Sequence, residues 1–257
     1  HEKIYQLEDG ATAVNFDKEH HPTNAVKPLD FSITKNVFSM FLSMIVLLLI
    51  FFTAAKSYRK SANGMPSGIA KFTEPIILFI RDEVAIPNIG EKKYKKYMPF
   101  LLTLFFFIWL NNIFGLIPFF PFSSNLSGNI AFTLSLAAIT FVITLFSSKK
   151  YYWKHMLWMP GLPVPMKLFL APIEFMGMFI KPIALTIRLF ANITAGHIIV
   201  LSLISLTFIF QNYVVGAGSV LFVVFISVIE VLVVAIQAYI FTMLSALYFG
   251  QALEEEH

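Results

Sequence analysis

Arg188 stands inside the apolar run Lys181-Pro182-Ile183-Ala184-Leu185-Thr186-Ile187-Arg188-Leu189-Phe190-Ala191-Asn192. A guanidinium stays charged at any relevant pH, and mid-membrane it costs about 2.5–3.5 kcal/mol even on the lenient insertion scale. It should therefore face protein or water and not lipid, which marks it for function. At 100° per residue, Glu174, Lys181, Arg188 and Asn192 fall within roughly 80° of one another on a helix. Further along, Glu230 and Gln237 are seven apart and share a face. His197 with Glu230 are ionisable groups of the kind that relay protons, or else a buried structural pair. Plainer roles compete with these. Glu174 and Lys181 can be an i,i+7 pair whose lysine snorkels to the interface, and Asn192 and Gln237 can simply hydrogen-bond two helices. Tyr239 and Tyr248 read as packing or interfacial aromatics.

The surroundings of these residues are those of a membrane. The chain has 257 residues, of which 57% are hydrophobic and 13% charged, with 29 Phe. Its mean hydropathy is +0.74, far from the soluble average. A net charge of +4, with its lysines beside apolar spans, gives no footprint for nucleic acid. The absence of cysteine excludes disulfides and thiolate chemistry. No apolar signal core precedes residue 37, which leaves prior removal of a signal peptide open.

Residues 1–36 mix six acids with four lysines and form a polar exterior segment; its pair His20-His21 has no third ligand at helical spacing, and no metal site is expected. The membrane domain covers 37–257, with spans at about 37–55, 99–117 and 130–146. Residues 56–97 hold nine Lys and Arg with Gly64, Pro66, Gly68 and Pro87 as breakers, and they read as a polar loop on the cytoplasmic side. Pro99 is placed in the first turn of the second span, where its missing N–H costs little. Asn111-Asn112 lie near that span's far end. Pro118, Pro121 and 123–128 make a short outside turn, Lys149, Lys150 and Lys154 mark the inner side, and Glu254-Glu255-Glu256-His257 is a solvated tail.

Two segments are too long for upright crossing. Residues 167–210 would extend about 66 Å as helix and 214–251 about 57 Å, against a core of about 30 Å. They are predicted to form an antiparallel hairpin of strongly tilted or near-horizontal helices, or shorter helices broken at Pro172 and Pro182. Gln211-Asn212-Tyr213 supply its outside turn, which leaves the N-terminus outside and the C-terminus cytoplasmic. In that hairpin Arg188 is level with Gln237 and His197 with Glu230. On an ideal helix His197 lies about 180° from Arg188, so both meet the second helix only if the first bends or the two cross at an angle. The fold class is an all-α polytopic membrane protein of three ordinary spans plus this hairpin.

The order and spacing of several motifs resemble subunit a of the F-type rotary ATP synthase. They are Lys181-Pro182 through Arg188, Leu189 and Asn192; Ala195-Gly196; Gln237-Ala238-Tyr239-Ile240-Phe241; and, earlier, Arg81-Asp82-Glu83, Ile89-Gly90, Pro99-Phe100 and Asn111 to Pro118. The resemblance implies a non-catalytic, stationary proton-channel subunit without a cofactor. It implies as partners a ring of c subunits, the b-type subunits of a peripheral stalk and the lipid bilayer, in a hetero-oligomeric complex of the bacterial inner membrane. Arg188 matches the essential arginine that faces the ring carboxylates. Glu174 and Lys181 suit the inner half-channel, His197 and Glu230 the outer one, and Asn192 and Gln237 flank the arginine. The chain departs from one common family pattern: histidine and acid are exchanged between the two helices. Proton and sodium coupling both remain compatible with these residues. A secondary transporter using Arg188 to bind an anion would predict internal repeats, and no repeat of the Arg188 segment is found. A purely structural scaffold would have no use for co-aligned ionisable residues.

Overall fold

A computed structural model describes residues 6–7, 25–26, 34–60, 68–117, 126–148, 152–153 and 164–253. The His20-His21 pair, the turn at 118–125, Lys149, Lys150, Lys154 and the tail 254–257 lie outside the described residues. The chain divides into two units, His1–Lys35 and Asn36–His257. In the first, strands β1 (Gln6–Leu7) and β2 (Ala25–Val26) pair antiparallel, with Gln6 opposite Val26.

The described elements that follow are helical. They are α1 (Lys35–Lys60), α2 (Ile69–Phe79), one π-helical turn (Ile80–Ala85), α3 (Ile86–Ile89), α4 (Tyr94–Leu116), α5 (Ile130–Ser147), α6 (Val164–Phe210) and α7 (Tyr213–Leu253). Five of them, α1, α4, α5, α6 and α7, are long and apolar enough to cross a membrane. The protein is an all-α polytopic membrane protein.

Three local features differ from the sequence reading. Residues 69–89 are helical, where a polar loop was expected. Ala70, Thr73, Ile80, Val84, Ala85 and Ile89 are buried at helical spacing, and the π turn packs on α4 and α7 and α3 on α7, so tertiary burial outweighs the surrounding charges. On the outer surface of this stretch, Arg81 Nε and Nη2 donate to Asp82 at 2.7 and 3.0 Å, and that guanidinium holds the Asp82 carboxyl below its ordinary range. Second, α4 starts at Tyr94, so Pro99 lies inside the helix and not in its first turn. The added turn is anchored by Tyr97, buried with its ring 5.1 Å from Phe249. Third, α6 runs through Pro172 and Pro182 without a break. Buried Met178 and Leu185 flank Pro182, and packing there sustains a helix that water would not. With 47 and 41 residues, α6 and α7 would extend about 70 and 62 Å, so neither crosses a ~30 Å core upright.

The core is built around the C-terminal half of α7. Val234, Gln237, Ala238, Phe241, Thr242, Ser245, Ala246, Phe249 and Ala252 are all buried there. This half touches α3, α4, α5, α6 and the π turn. Its small residues allow close approach, as does the stripe Thr133, Ala137, Thr140 and Thr144 on α5. At its end, a Cβ on Gly250 would run into the carbonyl oxygen of Asn88, so α3 docks there only because residue 250 has none. Lys93 Nζ donates to the Leu253 carbonyl at 3.1 Å and fixes the same end. The opposite half of the hairpin is different: no residue of α6 beyond Ile193 is buried, and between Tyr213 and Val233 of α7 only Ser219 is. Leu201, Phe208, Leu221 and Val228 there are left exposed for lipid or a partner.

Candidate functional site

The polar residues of the hairpin fall into three groups along α6 and α7. At the end nearest the basic segments, Lys181 Nζ donates to Gln251 Oε1 at 2.8 Å and sits 5.3 Å over the ring of Tyr248. Glu174, for which an i,i+7 pair with Lys181 was one of two readings, is exposed and makes no ion pair with it. Beside Lys181 is a small cavity of about 20 Å³, room for about one water, whose polar lining is Thr140, Thr144, Tyr152, Lys181, Tyr248 and Gln251. Burial first, and the Glu174 carboxylate second, push the Tyr152 phenol above its ordinary range. Glu174 therefore reaches this cluster through its field.

In the middle group Asn192 Nδ2 donates to Gln237 Oε1 at 2.8 Å. Gln237 is 2% exposed, and its Nε2 has no partner. Arg188 was expected level with Gln237, but Gln237 bonds one turn further along α6, at Asn192. The offset arises because the register slips: between the contacts Lys181–Gln251 and Thr207–Gly216, α7 advances about two and a half turns further than α6, which a straight pair with parallel axes would not show. Arg188 is exposed, on a stripe with Ala184, Ala191 and Ala195, while Leu185, Leu189 and Ile193 are buried on the adjoining face of the helix. Among the described residues the ion pair is Arg81 with Asp82, so no carboxylate of these residues neutralises Arg188.

In the third group Glu230 lies against α6 at Gly196. A Cβ on that glycine would be 2.5 Å from Glu230 Oε1 and 3.1 Å from its Cδ. His197 is the next residue, and its Nε2, like Glu230 Oε1, is buried without a hydrogen-bond partner. The two groups interact electrostatically without forming an ion pair. Arg188 faces outward while Glu230 reaches Gly196, within electrostatic range of His197, and α6 is unbroken between them.

A family model described as ATP synthase A chain matches residues 37–250. The chain belongs to the ATP synthase A chain family. It is 46% identical to ATP synthase subunit a 2 of Chlorobaculum tepidum over 92% of this chain and 68% of that protein. To ATP synthase subunit a of Chloroherpeton thalassium it is 43% identical, over 92% of this chain and 71% of that one. With bacterial relatives of this kind and five apolar helices, this member of the ATP synthase A chain family is a multi-pass protein of a bacterial membrane and a component of a multi-subunit complex.

Sequence reasoning missed Gln251 and the cavity residues Thr140, Thr144 and Tyr152, and it gave Tyr248 only a packing role. A signal for Gln251 was present: it continues the seven-residue spacing of Glu230 and Gln237 by two further steps. Tyr239 does pack, at 5.4 Å from the ring of Phe79. Asn111 and Asn112 are buried at the end of α4, where Asn111 Nδ2 donates to the Phe107 carbonyl at 2.7 Å and Asn112 Oδ1 accepts from Ser127 Oγ.

Proposed function

We propose that this chain is the stationary proton-conducting subunit of an F-type ATP synthase, coupling proton flow to ATP synthesis or hydrolysis carried out on other subunits. The observation that supports this reading is an arginine exposed on an apolar helix, flanked by alanines, with no carboxylate of the described residues to neutralise it. Its counter-charge then comes from outside these residues. A ring of c subunits, each with one mid-membrane carboxylate, supplies it.

A ring carboxylate facing lipid must be protonated, because an isolated anion there is too costly. One that arrives opposite Arg188 can ionise, because an adjacent opposite charge favours the anionic form. Two half-channels, each open to one side, load and unload the carboxylate, so protons cross only when the ring turns. His197 and Glu230 serve the outer half-channel, Glu174 and Lys181 the inner one. Asn192 and Gln237 brace the hairpin one turn from Arg188. Arg188 also blocks direct leakage between the two paths. The driving energy is about 2.3 kcal/mol per proton per 100 mV. In this arrangement the N-terminal segment 1–36 lies outside, the C-terminus is cytoplasmic, and b-type peripheral-stalk subunits hold the chain against rotation.

ATP-driven proton pumping in membrane vesicles carrying Arg188→Ala tests this. Loss of pumping, with the ring still co-purifying, is expected; full pumping would overturn the assignment.

A further inference from the structure

We infer that Gln251 and Tyr248 are positioning residues for Lys181: they hold its ammonium as a fixed cation beside the inner cavity, and this placement sets the pH range over which protons load from the inner side. The inference rests on the half-channel reading above.

Both contacts come from α7, across the hairpin from Lys181. The Gln251 amide oxygen accepts from Nζ at 2.8 Å, and the Tyr248 ring face lies 5.3 Å beneath it. Both partners are neutral, and this decides their effect. A carboxylate in their place would cancel the field of the lysine, whereas an amide oxygen and a ring quadrupole fix the ammonium and leave its charge in force. The other titratable and charged groups near it are Glu174 and Arg188 on α6 and Tyr152 before it. The α5 residues on the cavity, Thr140 and Thr144, are neutral. Glu174 is exposed and unpaired with Lys181, so it offsets this charge only in part.

A fixed cation lowers the proton affinity of a carboxylate that comes within its reach. Releasing the flexible lysine stem lets the ammonium retreat. Moving a unit charge from about 8 to about 12 Å, at an effective dielectric constant near 20, raises that affinity by about half a pH unit.

The test is ATP-driven pumping by the whole complex in inverted vesicles, where the inner face meets the bath, measured against bath pH. Gln251→Met keeps the length of the side chain and removes the acceptor. Tyr248→Leu removes the ring face, and Tyr248→Phe keeps it. The alkaline limb, where loading from the bath limits the rate, is expected to move up by about half a pH unit in Gln251→Met and Tyr248→Leu and to stay in place in Tyr248→Phe. Lys181→Met should shift it further in the same direction. Assembly is scored by co-purification of the ring; if Tyr248→Leu does not assemble, Gln251→Met decides alone. A limb in Gln251→Met that superimposes on the unmodified protein overturns the inference, and so does a Tyr248→Phe shift as large as that of Tyr248→Leu. Arg188→Ala in the same vesicles separates the two levels. If it pumps, the half-channel reading has failed; if it does not, an unmoved Gln251→Met limb removes only the role given to Gln251 and Tyr248.

Discussion

Replacing Gly196 with alanine should separate function from folding where Glu230 meets α6. The new methyl would stand 2.5 Å from Glu230 Oε1 and 3.1 Å from Cδ. To restore ordinary contact the carboxylate oxygen must retreat by about 0.9 Å. Only the far end of a flexible side chain has to move, so the cost is that of an off-rotamer glutamate, about 0.5–1.5 kcal/mol. Against it stands the better helix propensity of alanine, about 1 kcal/mol. The fold is therefore left near neutral, while Glu230 loses its place beside His197. We expect normal amounts of assembled complex and proton pumping reduced by about tenfold, since displacement of a reacting group by about 1 Å is enough for such losses. A double-mutant cycle sharpens the test. In a Glu230→Asp background the shorter side chain already clears the methyl, so Gly196→Ala should have little further effect on the residual pumping. Unchanged pumping in Gly196→Ala would refute the reasoning. So would loss of the chain from the membrane, because it would mean that the backbone and not the carboxylate had given way.

Gly250→Ala should do the reverse and damage the fold. Its Cβ would overlap the Asn88 carbonyl oxygen and stand 3.0 Å from the carbonyl carbon, and backbone cannot swing aside. Forcing α3 away from α7 is expected to cost about 1–3 kcal/mol or more, seen as a fall in assembled complex and in its resistance to heat; a variant as stable as the unmodified protein contradicts the contact. At the middle group, Asn192→Ala should destabilise more than Gln237→Leu. The first leaves a glutamine that is 2% exposed without its partner, the second leaves only an exposed asparagine. The difference should be about 0.6–1.7 kcal/mol, the range of hydrogen bonds between membrane helices, measured by thermal inactivation of the purified complex. The reverse order would show that the Asn192–Gln237 bond is not what holds the pair.

Most of the architecture was legible in the residues, because it depends on quantities that are local. Apolar length alone separates three ordinary spans from two segments too long to stand upright, and the excess of Lys and Arg marks which ends belong together. The cost of a charge within the membrane singled out Arg188, and the helical period gathered Glu174, Lys181 and Asn192 on its face. The helix at 69–89 was missed although Ala70, Thr73, Ile80 and Val84 have helical spacing, because its π turn and α3 are buried by helices distant in sequence, α4 and α7.

Pairing between the two long helices is what the tertiary structure alone decided. Periodicity says which face of a helix a residue occupies, but register across a crossing depends on the whole path of both helices. Over this hairpin the slip is enough to give Gln237 to Asn192 in place of Arg188, and α7 also brings Gln251 to Lys181. The two glycine contacts are of the same kind. Nothing near Gly196 or Gly250 in the chain announces that a carboxylate or a carbonyl will occupy the space of the missing Cβ, since both oxygens are brought there by other helices. The sequence by itself therefore determined the spans and the polar residues set within them. The crossing of α6 and α7 decided their partners, because contact distances follow from packing and not from spacing along the chain.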